Sequence, residues 1–223
     1  MRSRGDIDRL SLACYRPQAF RGKNWVSRRT TVRVWETGRP VTLQVLQERA
    51  RDRDEVEALY DLAFAPGRSA LSSYQLRDGV EPVAELCLLA RDDYDVVAGA
   101  IRYWPIEIGE EALPAVLLGP VAVHPTRQGE GLGALLILES LEIAEKLGWR
   151  RVVLIGDEPY YRRFGFRRSL AEGLRFPPPT NPNRILALAL APGAMDGVAG
   201  EVRKTRQARK ADEGRDGGPD EPA

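Results

Sequence analysis

The residues best suited to chemistry form a glycine-rich segment, here called the glycine loop, with the sequence Gln128-Gly129-Glu130-Gly131-Leu132-Gly133. It follows an apolar run and precedes a helical pattern, so its glycines open a helix. Glycine adopts a positive φ without strain and lets the backbone approach a ligand closely. Free N–H groups at a helix start, together with the helix dipole, bind anions. The loop is therefore predicted to hold a diphosphate, with Arg127 adding a direct charge contact.

Two further interpretations of the glycine loop stay open on its residues alone. One is a tight loop in which the glycines serve packing only. The other is a dinucleotide fingerprint, because Gly129, Gly131 and Ala134 fit G-x-G-x-x-A, and Asp157 follows the next predicted strand. The single crossover unit, the antiparallel pattern of the preceding strands and the gap between strand and loop weigh against it. A Walker loop is excluded because no Gly-Lys-Ser/Thr sequence follows.

The elements that must position this loop follow from apolar periodicity. Alternation and short apolar runs predict strands at residues 41–45, 85–90, 96–104, 115–123, 151–155 and 185–190. Helical spacing predicts helices at residues 53–64, 131–147 and 158–164. A capping box of Asp52 and Glu55 is expected to open the first helix. Pro120 cannot donate to a strand ladder, so a bulge or splay is expected beside it.

This order of elements predicts an α+β fold. Hairpins come first, and a strand, a helix and a strand follow, which implies one parallel β-α-β crossover. The expected sheet is mixed and mostly antiparallel, with helices on both faces. Residues 40–200 are predicted to form this domain. Residues 1–39 are expected to be a flexible or loosely docked basic extension, and residues 201–223 a disordered charged tail.

The bulk composition excludes several functional classes. A chain of 223 residues with a net charge of +1 has no global field to attract nucleic acid or a membrane surface. No apolar stretch approaches the ~18–20 residues that cross a bilayer, and the N-terminus lacks the apolar region of a secretory signal. With one histidine and two cysteines, no metal site is expected. We therefore predict a cytoplasmic protein without nucleic-acid or membrane partners, and leave its oligomeric state open.

Two segments of the chain resemble motifs of one known family. Residues 118–133 resemble the core motif of the GNAT superfamily of acetyltransferases, whose Q/R-x-x-G-x-G/A pattern falls on Gln128, Gly131 and Gly133. Residues 156–166 resemble the superfamily's C-terminal motif, in which a tyrosine precedes a Gly-Phe pair. Both motifs occur in the right order and spacing, and a weaker resemblance extends over the rest of the predicted domain.

The resemblance implies an N-acetyltransferase that uses acetyl-CoA as co-substrate and transfers the acetyl group to an amine by direct attack in a ternary complex. Acetyl-CoA would lie where the predicted strands 115–123 and 151–155 splay apart. The backbone of Val121, Ala122 and Val123 would line the pantetheine, and a backbone N–H there would polarise the acetyl carbonyl. The alternative is a non-catalytic acyl-CoA-binding or partner-binding module on the same fold.

The second motif supplies the candidate general acid. Tyr161 matches the family's acid position and would protonate the leaving thiolate, unless it only packs against the coenzyme. Tyr160 is its nearest competitor, and Asp157 would either contact the pantetheine amide or cap the short helix. Gly156-Asp157, together with residues 64–68, is similar to one predicted bacterial branch of the superfamily.

The general base and the acceptor site are less defined. Glu85 is a weak base candidate because it lies on a predicted central strand, and a water chain is the alternative. His124, just past a strand end and before a proline, is expected to be a loop residue. The acceptor would lie between residues 65–82 and the strand at 96–104. There, basic or hydroxyl side chains would either recognise an acidic group on the acceptor or form solvated surface; these residues are Arg68, Tyr74, Arg77 and Arg102.

Overall fold

The computed structural model describes residues 30–36, 39–64 and 72–205. Along these residues run nine strands: β1 (Thr30–Glu36), β2 (Arg39–Gln47), β3 (Leu88–Arg91), β4 (Val97–Ile108), β5 (Leu113–Val123), β6 (Arg151–Ile155), β7 (Leu174–Arg175), β8 (Ile185–Ala189) and β9 (Gly200–Lys204). Four α-helices accompany them: α1 (Arg53–Ala63), α2 (Ser72–Gln75), α3 (Leu132–Lys146) and α4 (Glu158–Tyr161). Short 3₁₀ turns occupy Ala50–Asp52, Ala84–Leu86, Pro125–Arg127, Arg162–Phe164 and Pro182–Arg184.

The sheet is mixed, as the sequence predicts. Its main path runs β1-β2-β3-β4-β5-β6-β8, and β9 pairs with both β4 and β7. Neighbours along the path are antiparallel, except that β5 and β6 are parallel. The helix α3 connects these two strands, because parallel neighbours need a crossover. The predicted β-α-β unit is therefore confirmed, and β7 with β9 forms a second, short parallel pair.

Helices cover both faces of the sheet, and β3 shows why. Successive side chains of a strand point to opposite faces. Leu88 and Ala90 pack in the cluster that contains the buried side of α3, whereas Leu89 packs with Val56 and Tyr60 of α1. The α+β fold with helices on both faces is thus confirmed.

The strands β5 and β6 separate soon after they meet. Their paired residues are Val116 with Val152 and Leu117 with Val153. Beyond Leu117, β5 continues through Gly119 and Pro120, where the pairing with β4 also shifts register. Proline has no N–H to donate, so the ladder is interrupted there. The expected splay is confirmed, and it opens the sheet on the side that faces α4.

Two local predictions are wrong. Glu85 and Leu86, with which the predicted strand 85–90 begins, lie in the 3₁₀ turn Ala84–Leu86, which a hydrogen bond of 3.1 Å from the Cys87 N–H to the Ala84 carbonyl closes. A short apolar run does not separate a strand from a buried turn. The expected capping box is also absent, because Asp52 accepts from the Arg49 N–H at 2.9 Å and from Arg91 instead.

The described chain extends beyond the predicted domain at both ends. The sequence predicts residues 30–36 to be part of the loosely docked extension, yet β1 pairs with β2 along its whole length. Their alternating sequence suits an edge strand. At the other end β9 passes residue 200 and pairs with β4, where Val202 is buried. Residues 1–29 and 206–223 lie outside the described residues.

Within the described part of the chain, no helix has the length and apolar character needed to cross a membrane.

Candidate active site

A cavity of about 430 Å³ opens where β5 leaves β6. One wall is β5 from Leu117 to Val121, together with Val123. The opposite wall is formed by the end of β6, by Gly156 and by α4. The first turn of α3 reaches the cavity at Gly133, and α2 approaches it from the other side. The cavity therefore joins elements that are far apart in sequence, because the splayed strands leave a gap that only these loops and helix ends surround.

The glycine loop presents the start of α3 to this cavity. Gly129 and Gly131 have φ values of 89° and 79°, in the left-handed region where other residues are strained. Gly131 is the N-cap residue of α3, so no side chain caps the first turn from that position. A Cβ on Gly133 would lie 3.4 Å from the Tyr160 hydroxyl oxygen, so glycine keeps this wall open. Such a helix start suits an anionic ligand.

Arg127 differs from its predicted role. Its side chain is 8% exposed and pairs with Asp92, at 3.1 Å between Nη2 and Oδ2. A second carboxylate, Glu130, lies 3.8 Å from its other terminal nitrogen. Asp92 also accepts from the Tyr94 and Val96 N–H groups of the β3–β4 turn. Arg127 therefore connects the glycine loop to that turn, and carboxylates neutralise its charge. It does not line the cavity.

The other predicted coenzyme residues divide between the cavity and its support. Val121, Val123, Gly133, Asp157 and Tyr160 line the cavity together. Gln128 and Gly129 are exposed beside the helix start, and Glu130 is half-buried. Two side chains turn into the core instead: Ala122 packs with α1, and Leu132, in the first turn of α3, packs in the core between α3 and the sheet. The alternation of β5 explains this division, since residues 121 and 123 share a face that residue 122 does not.

Tyr161 lines the cavity, and its position depends on Gly156. A Cβ on Gly156 would overlap Cε2 of Tyr161, so any larger residue would displace the ring. The ring packs edge-on against Phe166 at 6.0 Å and against Tyr160 at 5.0 Å between centroids. Burial raises the pKa of Tyr161 to about 12, with smaller contributions from Tyr160 and Asp157. The phenol therefore keeps its proton at neutral pH.

Tyr160 is the more exposed of the two tyrosines. Its relative exposure is 36%, and the guanidinium carbon of Arg163 lies 4.4 Å from its ring centroid. Burial raises its pKa, and Arg163 opposes that shift. Its neighbour Asp157 does not cap α4 with its side chain but pairs with Arg184 at 3.2 Å. Of the two roles that the sequence left open for Asp157, the capping role is not observed.

Neither the candidate base Glu85 nor the histidine His124 lines the cavity. Glu85 is exposed in the 3₁₀ turn before β3 and is not among the cavity-lining residues, so its assignment to a central strand is corrected. His124 caps the turn Pro125–Arg127, with its Nδ1 2.8 Å from the Thr126 hydroxyl oxygen. The expectation of a loop histidine agrees with this arrangement. Among the described cavity-lining residues, Asp157 is the single carboxylate.

The four candidate acceptor residues have different surroundings. Arg102 is 7% exposed and enclosed by carboxylates: Glu48 accepts at 2.8 and 2.6 Å from Nε and Nη2, and Glu57 pairs with Nη1. Its charge is thus neutralised outside the cavity. Tyr74 and Arg77 do line the cavity, whereas Arg68 lies outside the described residues. The sequence analysis gives no site role to Phe64, Ser73 or Arg184, which also line the cavity. Phe64 belongs to the segment 64–68 that carries part of the resemblance, whereas Ser73 and Arg184 carry no motif and reach the cavity only through the tertiary fold.

Comparisons with known proteins identify one family of similar proteins. Residues 53–166 match the model of the acetyltransferase (GNAT) family. The chain is 31% identical over 151 residues to the uncharacterized N-acetyltransferase YhbS of Escherichia coli, which covers 68% of this chain and 89% of YhbS. A crystal structure of Escherichia coli YhbS in complex with CoA has a TM-score of 0.64 at 30% identity, covering 75% of this chain and 92% of that one. A GNAT family acetyltransferase from Brucella melitensis in complex with acetyl-CoA gives a TM-score of 0.55 at 30% identity, covering 74% and 96%.

Proposed function

The chain belongs to the GNAT family of acetyltransferases, and from this premise we propose that it transfers an acetyl group from acetyl-CoA to an amine acceptor. The amine attacks the thioester carbon directly while both substrates are bound. One observation carries the proposal: the uncapped start of α3, the gap between β5 and β6, and Tyr161 all meet in one cavity. A diphosphate, an extended pantetheine and a leaving thiolate need these three features.

The fit to acetyl-CoA rests on the backbone. Gly129 and Gly131 hold the left-handed conformations that bring amide groups to the helix start, and a side chain at Gly133 would narrow the wall. These amides would hold the diphosphate through hydrogen bonds and the helix dipole. The β5 residues that no longer pair with β6 would hydrogen-bond the pantetheine and polarise the acetyl carbonyl.

Tyr161 is the general acid of this proposal. When the amine nitrogen bonds to the acetyl carbon, the carbon–sulfur bond breaks and the sulfur leaves with its electron pair. The Tyr161 hydroxyl donates its proton to that sulfur. Burial keeps the hydroxyl protonated, as its raised pKa of about 12 indicates. A pKa that high makes the phenol a weak acid in the resting protein, so proton transfer depends on the basicity of the thiolate beside it.

Among the described cavity-lining residues, no carboxylate outside an ion pair is placed to accept the proton that the amine loses. Asp157 is the one carboxylate there, and Arg184 holds it in an ion pair. We therefore assign deprotonation to water within the open cavity. The same observation favours the second candidate function, a non-catalytic acyl-CoA-binding or partner-binding module, because such a module needs no base.

Release of CoA from acetyl-CoA tests this proposal. Purified protein is incubated with acetyl-CoA and a panel of small amines, and free thiol is measured together with the acetylated product. We expect saturable acetyl-CoA binding and amine-dependent thiol release. Binding without release for any amine would support the non-catalytic module. A larger thermal shift with NAD(P) than with acetyl-CoA would contradict both candidate functions and favour a dinucleotide site.

We also propose that this reaction takes place in the cytoplasm.

A further inference from the structure

The strand β5 contains a bulge at the gap where the coenzyme is proposed to bind. Between two successive residue pairs of the β4–β5 ladder, β4 has one residue and β5 has two, namely Gly119 and Pro120. Both of them line the cavity. A bulge interrupts the hydrogen-bond ladder, and β6 does not restore it, because its pairing with β5 ends at Leu117. The backbone carbonyls at the bulge therefore need partners other than the neighbouring strands.

Two aromatic side chains contact these carbonyls. The indole N–H of Trp104 donates to the Gly119 carbonyl oxygen at 3.0 Å, and the hydroxyl oxygen of Tyr60 lies 3.5 Å from the Pro120 carbonyl oxygen. The shorter distance makes the Trp104 hydrogen bond the stronger of the two. Ala100, four residues before Trp104 on β4, packs in one cluster with Tyr60. Both aromatic side chains therefore lie on the same face of the sheet.

The two contacts take the bulge out of sheet geometry. In a regular strand, successive carbonyls point toward opposite neighbouring strands. At the bulge, both carbonyls face side chains on one face of the sheet instead. A carbonyl held in this way is not available to β6, so the hydrogen bond from Trp104 keeps β5 from pairing further along β6.

The Trp104 hydrogen bond is not easily replaced. Gly119 is buried, and a buried acceptor that loses its donor costs free energy. Trp104 is half-buried, and its ring packs against the cluster that contains Ile106 and Leu117. Without the indole N–H, the backbone at Gly119 would have to move to find water or another donor. Such a movement would change the wall of the cavity.

We propose that Trp104 is a positioning residue, whose indole N–H holds β5 in the conformation that binds the coenzyme. Trp104 does not itself line the cavity, so it acts through Gly119. A protein that reaches its binding conformation only part of the time binds the ligand more weakly by that fraction. This inference rests on the proposed function and assigns part of the coenzyme affinity to a side chain outside the cavity.

The variant Trp104→Phe removes the indole N–H and keeps an aromatic ring. We expect acetyl-CoA to bind about 10-fold more weakly in calorimetric titration, and KM for acetyl-CoA to rise by the same factor. The kcat at saturating acetyl-CoA should stay within about 2-fold of the wild type, because the loss affects binding alone.

The matched control is Trp149→Phe. Trp149 is also half-buried, but it packs in the core on the α3 side of the sheet and does not line the cavity. Its replacement should leave the acetyl-CoA affinity unchanged. A lower free energy of unfolding in both variants, with normal affinity in both, would mean that Trp104 has a purely structural role and would overturn the proposal.

Hydrogen exchange separates this inference from the proposed function, because it is measured on the protein alone. The amides of residues 117–123, followed by mass spectrometry, should exchange at least about 10-fold faster in Trp104→Phe than in the wild type or in Trp149→Phe. That result would support the inference even if acetyl-CoA does not bind. Equal exchange in the three proteins would overturn it even if acetyl transfer occurs.

A further measurement uses the wild type only and does not depend on the folding of a variant. In isotope-labelled protein, nuclear magnetic resonance follows the exchange of the Trp104 indole proton with solvent. We expect this proton to exchange at least about 10-fold more slowly than that of a tryptophan peptide, because the Gly119 carbonyl accepts it. Exchange as fast as in the peptide would overturn the proposal.

Discussion

The two sides of the cavity present different kinds of groups: backbone amides on one side and side chains on the other. The side proposed for the coenzyme combines the glycine loop, which reaches the cavity at Gly133, with the free edge of β5, and it offers backbone N–H groups in conformations that glycine allows. The side proposed for the acceptor offers side chains that lie on α2 or just beyond the ends of α1 and α2, namely Phe64, Ser73, Tyr74 and Arg77. Six consecutive residues set the conformation of the glycine loop, whereas the other side depends on the packing of segments distant from one another in sequence.

This difference has consequences for function. A backbone site keeps its ligand through many substitutions, provided the glycines stay, because the amides belong to every residue type. A side-chain site changes its ligand when one residue changes. Differences in acceptor between related chains of this fold are thus expected to arise at α2 and its neighbours, while the coenzyme stays the same.

The largest effect should come from breaking the ion pairs of Arg102, which is buried outside the cavity. Arg102→Met would leave the carboxylate of Glu48, whose side chain is 10% exposed, without its counter-ion. Breaking a buried pair in this way destabilises a protein by about 3–5 kcal/mol. Arg203→Met should cost far less, because the pairs of Arg203 with Glu110 and Glu201 are exposed to solvent, which screens them. Urea unfolding followed by circular dichroism measures both free energies. Equal losses in the two variants would mean that burial adds nothing to the ion pairs of Arg102.

On the coenzyme side, Gly131→Glu should weaken acetyl-CoA binding by at least about 100-fold, or ~3 kcal/mol. The substitution puts a β-carbon at a φ of 79° and a negative charge where the diphosphate would bind. Gly148→Glu is the matched control, since Gly148 has a φ of 84° at the opposite end of α3 and open space around it. Both variants carry similar backbone strain, so only the first should lose affinity in calorimetric titration. If both bind acetyl-CoA normally, the coenzyme does not use this helix start.

The same contrast explains how much the sequence predicts. The glycine loop, α3, β6 and α4 follow one another, and their signals are local: positive-φ glycines, helical spacing and one buried strand. Their positions agree with prediction to within a few residues. The splay at Pro120 was also predictable, because a missing N–H is a property of the residue itself.

Features that depend on distant contacts were not predictable in the same way. Arg127 and Arg102 look alike in sequence to Arg77, yet the first pairs with Asp92 and the second with Glu48 and Glu57. The tertiary fold, and not the sequence around each arginine, decides where the carboxylate partners of Arg127 and Arg102 lie. Glu85 fails for a related reason, since a turn and a strand can both bury the apolar residues that follow it.

Tyr161→Phe tests the proposed protonation of the leaving thiolate. Removing the proton donor should lower kcat by about 100-fold and leave acetyl-CoA affinity nearly unchanged. Tyr160→Phe is the control, because Tyr160 is its ring neighbour at 5.0 Å but is more exposed. Since burial raises the pKa of Tyr161 to about 12, wild-type kcat should show no loss from its deprotonation up to about pH 10. A larger loss in Tyr160→Phe would transfer the acid role to Tyr160.

The smallest effect is expected at the one histidine. His124→Ala removes the cap of the Pro125–Arg127 turn, which leads into the glycine loop, and should lower the free energy of unfolding by about 1 kcal/mol. Its Nδ1 is engaged by Thr126, and the residue does not line the cavity, so the dependence of kcat/KM on pH should superimpose on that of the wild type. Thr126→Val, which removes the hydroxyl partner, should reproduce the stability loss in part. A pH–rate profile that changes shape in His124→Ala alone would mean that the histidine takes the amine proton, and the site would then extend past the end of β5.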